Sequence, residues 1–258
     1  MTIPAHDIDF TDGEHFVHLY GTDLEALARA VAGFVADGRA RGHGTLAIVG
    51  PENWEAMSAE LERREIAVEA AVADGSLVVL DAAATLASFV VDGRPDRARF
   101  DATVGVAVRA AARRDPGVRL YGEMVGLLWS AGDATAAAAL EAMWNDLLAS
   151  VPVRLFCSYP VDVFGPDFER ANMDAILCAH THLVPTTSGP GLAAALDRGM
   201  ETVLGMDGAR SIKSLIQPNH RPAWGAVPEA ESTILWLRNN LPAHADEITA
   251  IARAYFRE

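Results

Sequence analysis

Apolar segments of strand length alternate with amphipathic stretches of helix length along most of this chain. Five segments have the character of buried strands, namely 15–20, 45–49, 76–81, 118–121 and 153–159. Between them apolar residues recur at helical spacing, as Leu24, Leu27 and Val31 do after the first strand. This alternation predicts βαβ units, and therefore an α/β fold with a mostly parallel sheet flanked by helices.

The pattern changes after residue 185. Residues 186–191 read TTSGPG, which is a turn or linker signal, and apolar residues such as Leu192, Leu196 and Met200 then recur at helical spacing. The sequence therefore predicts an α/β domain over residues 1–185 and a helical C-terminal extension over residues 186–258. The apolar stripes of the extension need a covering surface, either the chain's own core or a second subunit, and we expect a homodimer.

Charge and cysteine content limit the partners and the compartment. The 258 residues carry 21 Lys and Arg against 35 Asp and Glu, and the formal net charge of −14 argues against direct binding of nucleic acid. Two cysteines cannot form a disulfide framework, and the first residues lack the basic and apolar regions of a signal peptide. No apolar run approaches the ~18 residues of a membrane span. We therefore expect a cytoplasmic protein without a membrane partner.

A phosphate-binding loop is the first function to test for a fold of this class. That loop requires two glycines and a Lys-Ser/Thr pair, but the single lysine, Lys213, has Asp207 and Ile212 at the glycine positions. The turn after the first strand reads YGTDLEAL, and its two acidic residues would repel a triphosphate. The G-x-G of RGHGTL precedes a strand instead of following one. We expect neither ATP hydrolysis of the P-loop type nor a dinucleotide site.

Candidate ligand-binding residues lie where strands end, because ligands of parallel sheets bind beyond the carboxyl ends of the strands. Glu123 follows the fourth strand within the apolar stretch YGEMVGLLW, and it either caps a helix or lies at a ligand crevice. His15 and His18 are three residues apart, so they face opposite sides of a strand and cannot easily chelate one ion. Cys157 lies in an apolar strand, which predicts a packed, inert thiol with a raised pKa.

Cys178, His180 and His182 form a candidate metal site. On a strand these three side chains would share one face, because side chains alternate with a period of two. A thiolate and two imidazoles suit Zn²⁺ or another transition metal. On a helix the three would diverge, and no fourth ligand is evident nearby. A structural or ligand-facing role for one of the histidines is therefore the preferred interpretation, and the metal site is the alternative.

An ordered set of motifs resembles the MEDS family, the methanogen/methylotroph, DcmR-type sensory domains. The motifs are HFVHLY (15–20), GHGTLAIV (42–49), G-x-L-x-x-x-D (75–81), R-x-x-G-E-M (119–124), L-E-x-x-W-N (140–145), F-C-S-Y-P (156–160) and a final His180. The resemblance covers about residues 13 to 185 and leaves the tail uncovered.

The resemblance implies a RecA/KaiC-like fold that has lost its nucleotide motif, and a non-catalytic sensory protein that binds small organic molecules such as simple hydrocarbon derivatives. It implies one set of ligand-binding residues: His15, Tyr20, Glu123, Cys157, Tyr159 and His180. It also implies a signalling partner, such as a kinase, an anti-sigma-type protein or a DNA-binding regulator of transcription. The cofactor stays unknown: none is required, and zinc or another transition metal is the alternative.

Two features depart from the family pattern. Val17 stands where the family frequently has a cysteine, which weakens a thiol or metal role there, and no output domain is recognisable, so a signal would leave through a partner or the helical tail. Two other functions stay open. One is a nucleotide-binding pseudo-ATPase or assembly module, and the other is a metal-dependent enzyme or metal sensor.

Overall fold

The computed structural model describes residues 14–115, 117–184, 191–219 and 227–256. Within these ranges the strands are β1 (His15–Leu19), β2 (Gly44–Val49), β3 (Leu77–Asp81), β4 (Val90–Val91), β5 (Arg94–Pro95), β6 (Val118–Gly122), β7 (Val153–Tyr159) and β8 (His182–Val184). The α-helices are α1 (Leu24–Ala40), α2 (Pro51–Arg63), α3 (Val68–Ala73), α4 (Ala82–Phe89), α5 (Arg97–Phe100), α6 (Val106–Arg114), α7 (Met124–Ser130), α8 (Ala134–Leu148), α9 (Arg170–Ala179), α10 (Gly191–Asn219), α11 (Glu229–Asn240) and α12 (Pro242–Phe256). A π-helical turn, Asp101–Gly105, joins α5 to α6.

The described residues divide into two compact units, one that ends at Pro160 and one that begins at Val161. This division falls earlier than residue 185, which stays a prediction for the end of the α/β domain. The predicted α/β fold with a parallel sheet is confirmed, as is the helical character of the C-terminal region. No helix among the described residues combines the length and the apolar character that a membrane span needs.

Five strands of the first unit form a parallel arrangement in the order β3-β2-β6-β7-β1. The register places Leu19 opposite Tyr159 in the β1–β7 pair, and Ile48 opposite Gly122 in the β2–β6 pair. The carboxyl ends of these strands therefore meet at one edge of the sheet, and Tyr20, Gly50 and Glu123 follow directly at that edge.

Two long helices cover opposite faces of this sheet. Phe34 of α1 packs against Phe16 and Phe156, with ring centroids 6.1 and 5.4 Å apart. On the other face, α8 contributes Trp144, which is fully buried against Phe100 at 5.2 Å. Because neighbouring residues of a strand point to opposite faces, Phe156 and Cys157 are assigned to the α1 side and the α8 side respectively.

Aspartates begin several of the helices. A side-chain oxygen accepts the backbone N–H three residues later, at 2.7–2.9 Å, in each of four cases: Asp23, Asp81, Asp96 and Asp133. These caps satisfy amide groups that the first turn of a helix leaves without partners. The Asp23 carboxylate thus occupies the start of α1, the place where a phosphate would lie in a phosphate-binding loop.

A short antiparallel hairpin, β4–β5, lies between α4 and α5. Asp92 and Gly93 make its two-residue turn with φ of 49° and 76°, the conformation that an Asp-Gly pair favours. The sequence signal was therefore present, and the flanking strands were too short to show an alternating pattern.

The second unit buries apolar residues between helices α10, α11 and α12. Its core consists of Met200, Ala209, Leu237, Ala245 and Ile248. Helix α10 is interrupted at Gly205, where φ is 74° and ψ is 163°. The apolar stripes predicted for the tail thus pack against one another in the core formed by α10, α11 and α12. On α10, Lys213 forms an ion pair with Asp197 at 2.5 Å.

Candidate functional site

The Glu123 carboxylate lies at the carboxyl edge of the sheet and is 6% exposed. Although Glu123 precedes α7, its side chain does not cap that helix. One oxygen accepts the backbone N–H of Gly50 at 2.7 Å, and the other accepts the Asn53 amide and the Tyr121 hydroxyl, each at 2.7 Å. The predicted helix cap is therefore not formed at α7, and Glu123 instead contacts α2 through Asn53. Its position at a ligand crevice stays a prediction.

This cluster extends from the buried sheet toward solvent. Tyr121 is fully buried, and its hydroxyl also lies 3.0 Å from the hydroxyl of Ser158. Tyr20 and Asn53 are half-buried, and both Glu123 and Asn53 influence the pKa of the Tyr20 hydroxyl. We name these residues the edge cluster: Tyr20, Asn53, Tyr121, Glu123 and Ser158.

Burial controls protonation in the edge cluster. It raises the pKa of Glu123 above its ordinary value, against the opposing effect of the donors from Gly50, Tyr121 and Asn53. Burial also raises the pKa of Tyr121 well above its usual range, and the Glu123 charge adds to that effect. The pKa of Tyr20 is raised for the same two reasons. Both phenols are therefore neutral donors near pH 7, beside a carboxylate that is costly to ionise.

A second buried cluster lies on the α8 face of the sheet. His15 of β1 and Glu141 of α8 are each 1% exposed, and their Nε2 and Oε2 atoms are 3.4 Å apart. Nε2 of His15 also lies 3.2 Å from Sγ of Cys157. The Tyr159 hydroxyl donates to Oε1 of Glu141 at 2.6 Å, and Asn145 Oδ1 lies 3.0 Å from His15 Nδ1. We name these residues the histidine cluster: His15, Glu141, Asn145, Cys157 and Tyr159.

The thiol in this cluster is a weak acid. Burial, followed by the Glu141 charge, raises the pKa of Cys157 well above its ordinary value. Burial and Glu141 likewise raise the pKa of Tyr159. The predicted packed thiol with a raised pKa is confirmed. The prediction that His15 and His18 face opposite sides also holds, because His18 contacts Phe156 with ring centroids 6.1 Å apart.

The spacing argument for a metal site at Cys178, His180 and His182 is wrong. Cys178 lies on α9 and is exposed, His180 ends that helix, and His182 begins β8. The three residues therefore share no strand. His180 is buried, with Nδ1 2.6 Å from the carbonyl oxygen of Ile176, four residues earlier.

The comparisons with known proteins support one family. The model of the MEthanogen/methylotroph, DcmR Sensory domain, abbreviated MEDS, matches residues 14–181, which is more than half of the chain. The chain belongs to the MEDS family. No curated protein matches the chain.

Five of the six residues that the MEDS resemblance implied as ligand-binding belong to the two named clusters of the first unit. Tyr20 and Glu123 belong to the edge cluster, and His15, Cys157 and Tyr159 belong to the histidine cluster. His180 belongs to the C-terminal unit.

Sequence reasoning did not single out Asn53, Glu141 or Asn145 as site residues. Glu141 and Asn145 did carry a signal, because they are four residues apart and therefore share one face of an amphipathic helix. Asn53 had none, since its position beside Glu123 depends on the pairing of β2 with β6.

Proposed function

We propose that this MEDS protein is a non-catalytic sensor whose edge cluster binds a small organic molecule that carries a hydroxyl or an amino group. The observation that carries the proposal is the convergence of Glu123, Tyr20 and Asn53 at the carboxyl edge of a parallel sheet. A site of this type combines a few directed polar groups with limited access to solvent. The sensory role of the family agrees with it.

The chemistry of the cluster selects for hydrogen-bond donors. Glu123 accepts three donors from the protein, and the half-buried Asn53 amide is one that a ligand can replace. A ligand hydroxyl or ammonium group would then donate to Glu123, and an ammonium group would also offset the cost of a buried carboxylate. Tyr20, as a neutral phenol, supplies both a donor and an acceptor to the same ligand.

The proposed signal leaves through α2. Gly50 is the N-cap of this helix and Asn53 lies in its first turn, so Glu123 holds the start of α2 in place. A ligand that displaces Asn53 would release that turn, provided that it binds the released state more tightly than the closed one. We propose that a partner protein, or the helical tail, reads this change, and that the protein acts as a homodimer.

A nucleotide-binding role is less well supported. The Asp23 carboxylate accepts the Ala26 N–H at 2.8 Å at the start of α1, and Lys213 lies on α10, paired with Asp197. A carboxylate at a helix N-terminus competes with phosphate for the same backbone donors.

The test is binding of methylamine and ethanol to the full chain, followed by amide NMR with ¹⁵N labelling. We expect saturable shifts of the Asn53 side-chain amide, and an affinity at least tenfold lower in Glu123→Gln. Glu52→Gln is the matched control, because Glu52 is exposed in the first turn of the same helix. The proposal fails if neither probe shifts Asn53 at millimolar concentration, or if Glu123→Gln binds as tightly as Glu52→Gln.

A further inference from the structure

The histidine cluster brings together three side chains of the kinds that bind transition metals. One ligand atom of His15, one of Glu141 and one of Cys157 lie within 4.8 Å of one another. All three residues are at least 99% buried. They come from three separate elements, β1, α8 and β7, so their convergence is a product of the fold and not of local sequence spacing.

The distances match those between ligand atoms around one tetrahedral zinc ion. Bond lengths of ~2.0 Å for Zn–N and Zn–O and ~2.3 Å for Zn–S place a nitrogen about 3.5 Å from a sulfur ligand and about 3.3 Å from an oxygen ligand. His15 Nε2 lies 3.2 Å from Cys157 Sγ and 3.4 Å from Glu141 Oε2. A metal ion therefore needs adjustments of a few tenths of an ångström in these ligand distances.

Two further residues orient the ligands as the surroundings of a metal site do. Asn145 Oδ1 can only accept, so Nδ1 of His15 donates to it, and in the neutral ring this leaves the Nε2 lone pair directed at the cluster. The Tyr159 hydroxyl donates to Oε1 of Glu141, while Oε2 faces His15. His15 is thus held through Nδ1 and Glu141 through Oε1, and the other atom of each, Nε2 and Oε2, faces the cluster.

Charge also favours a divalent ion. A thiolate from Cys157 and the Glu141 carboxylate carry two negative charges, and His15 is neutral as a ligand. A 2+ ion would cancel that charge inside a dry part of the protein, where uncompensated charges are most costly. Binding replaces the thiol proton with the metal, and the proton leaves to solvent.

We propose that His15, Glu141 and Cys157 bind one Zn²⁺-like transition-metal ion per chain and supply three of its ligands. Sulfur and imidazole ligands select zinc, or cobalt as its spectroscopic substitute, over magnesium and calcium. The proposal does not depend on the small-molecule site, because the histidine cluster faces α8 whereas Phe156 and Ser158, the neighbours of Cys157, point to the other face of β7.

The experiment refolds the full chain in the presence of Co²⁺ or Zn²⁺, removes free metal, and measures metal content and the near-ultraviolet absorption of the cobalt form. We expect about one metal ion per chain and a charge-transfer band from a thiolate–cobalt bond. Cys157→Ser should lose the band and at least nine-tenths of the metal. Cys178→Ser is the matched control, because it removes the exposed thiol of α9, and it should retain both.

A second variant covers the case in which Cys157→Ser does not fold. Glu141→Gln keeps the shape and the acceptor for Tyr159, so it should fold, retain the thiolate–cobalt band and bind metal at least tenfold more weakly in competition with a chelator. The proposal is overturned if the folded wild-type chain takes up no metal, if its cobalt form lacks the thiolate band, or if Glu141→Gln binds metal as tightly as wild type.

Discussion

The Glu123 carboxylate accepts the backbone N–H of Gly50 at 2.7 Å, so the residue that precedes α7 holds the first turn of α2. This contact joins the ends of two adjacent strands, β6 and β2, through one buried charge. Glu123 therefore stabilises the start of α2. A change in its charge or in its hydrogen-bond partners would weaken or alter that helix start.

The first prediction concerns pH. Burial raises the pKa of Glu123 in the folded state, so the folded chain binds a proton more readily than the unfolded chain does. The cost of this carboxylate is therefore absent below its unfolded pKa and grows as pH rises through the folded pKa. We expect Glu123→Gln to become more stable relative to wild type as pH increases from about 4 to 7.

Urea unfolding of both proteins across that pH range measures the difference. Glu52→Gln is again the control, because Glu52 is exposed, and its stability difference should stay flat. A pH-independent difference between Glu123→Gln and wild type would show that the buried carboxylate is not the titrating group.

The second prediction compares two glycines of α1. A Cβ at Gly38 would lie 2.3 Å from Cγ of Arg119, whereas a Cβ at Gly33 meets nothing within 4 Å. Arg119 cannot give way easily, because it is fully buried, pairs with Asp37 and lies 4.7 Å from the centroid of the Phe34 ring. We expect Gly38→Ala to destabilise the fold by about 1–2 kcal/mol, the cost of overpacking less the helical gain of alanine.

Gly33→Ala is the matched control and should stabilise the fold by roughly 0.5–1 kcal/mol, since only helix propensity changes. Chemical denaturation of the two variants gives both values. Equal effects of the same sign would contradict the packing of Arg119 over α1.

The strands and helices of the first unit could be predicted from the sequence because each one buries a face, and burial imposes a hydrophobic period. The contacts of Glu123 could not be predicted in the same way. Gly50 and Asn53 contact Glu123 only because β2 pairs with β6. The hydrophobic pattern of a single strand does not reveal which other strands pair with it. Glu141 lies between these cases, because its helix was predicted, but its partner His15 depends on the sheet order.

The third prediction concerns the two thiols. Cys178 is exposed, while Cys157 is fully buried with a pKa raised well above its ordinary value. Because the thiolate is the reactive form, Cys157 is protected by both its burial and its protonation. We expect a thiol reagent to modify one cysteine rapidly in the native chain and the second one only after unfolding.

Mass spectrometry of peptides after timed alkylation identifies which cysteine reacts. Cys178→Ser should leave the native chain unmodified on the rapid timescale. Rapid modification of Cys157 in that variant would mean that the histidine cluster opens to solvent without unfolding of the chain.

The fourth prediction concerns the interruption of α10. Gly205 has φ of 74° and ψ of 163°, a region that residues with a side chain rarely occupy. A Cβ at this position would meet no atom within 4 Å, so the cost of a substitution is that of the backbone conformation alone. We expect Gly205→Ala to destabilise the C-terminal unit by about 1–3 kcal/mol, or to straighten α10 by moving this residue into helical geometry.

Met206→Ala is a suitable neighbour for comparison, because Met206 is 67% exposed and its truncation should change stability by less than about 0.5 kcal/mol. Hydrogen exchange of the α10 amides separates the two outcomes for Gly205→Ala. Faster exchange on both sides of residue 205 indicates strain that loosens the unit, and slower exchange indicates a continuous helix. If exchange and stability both stay at the wild-type values, the chain does not adopt the positive φ at Gly205 in solution.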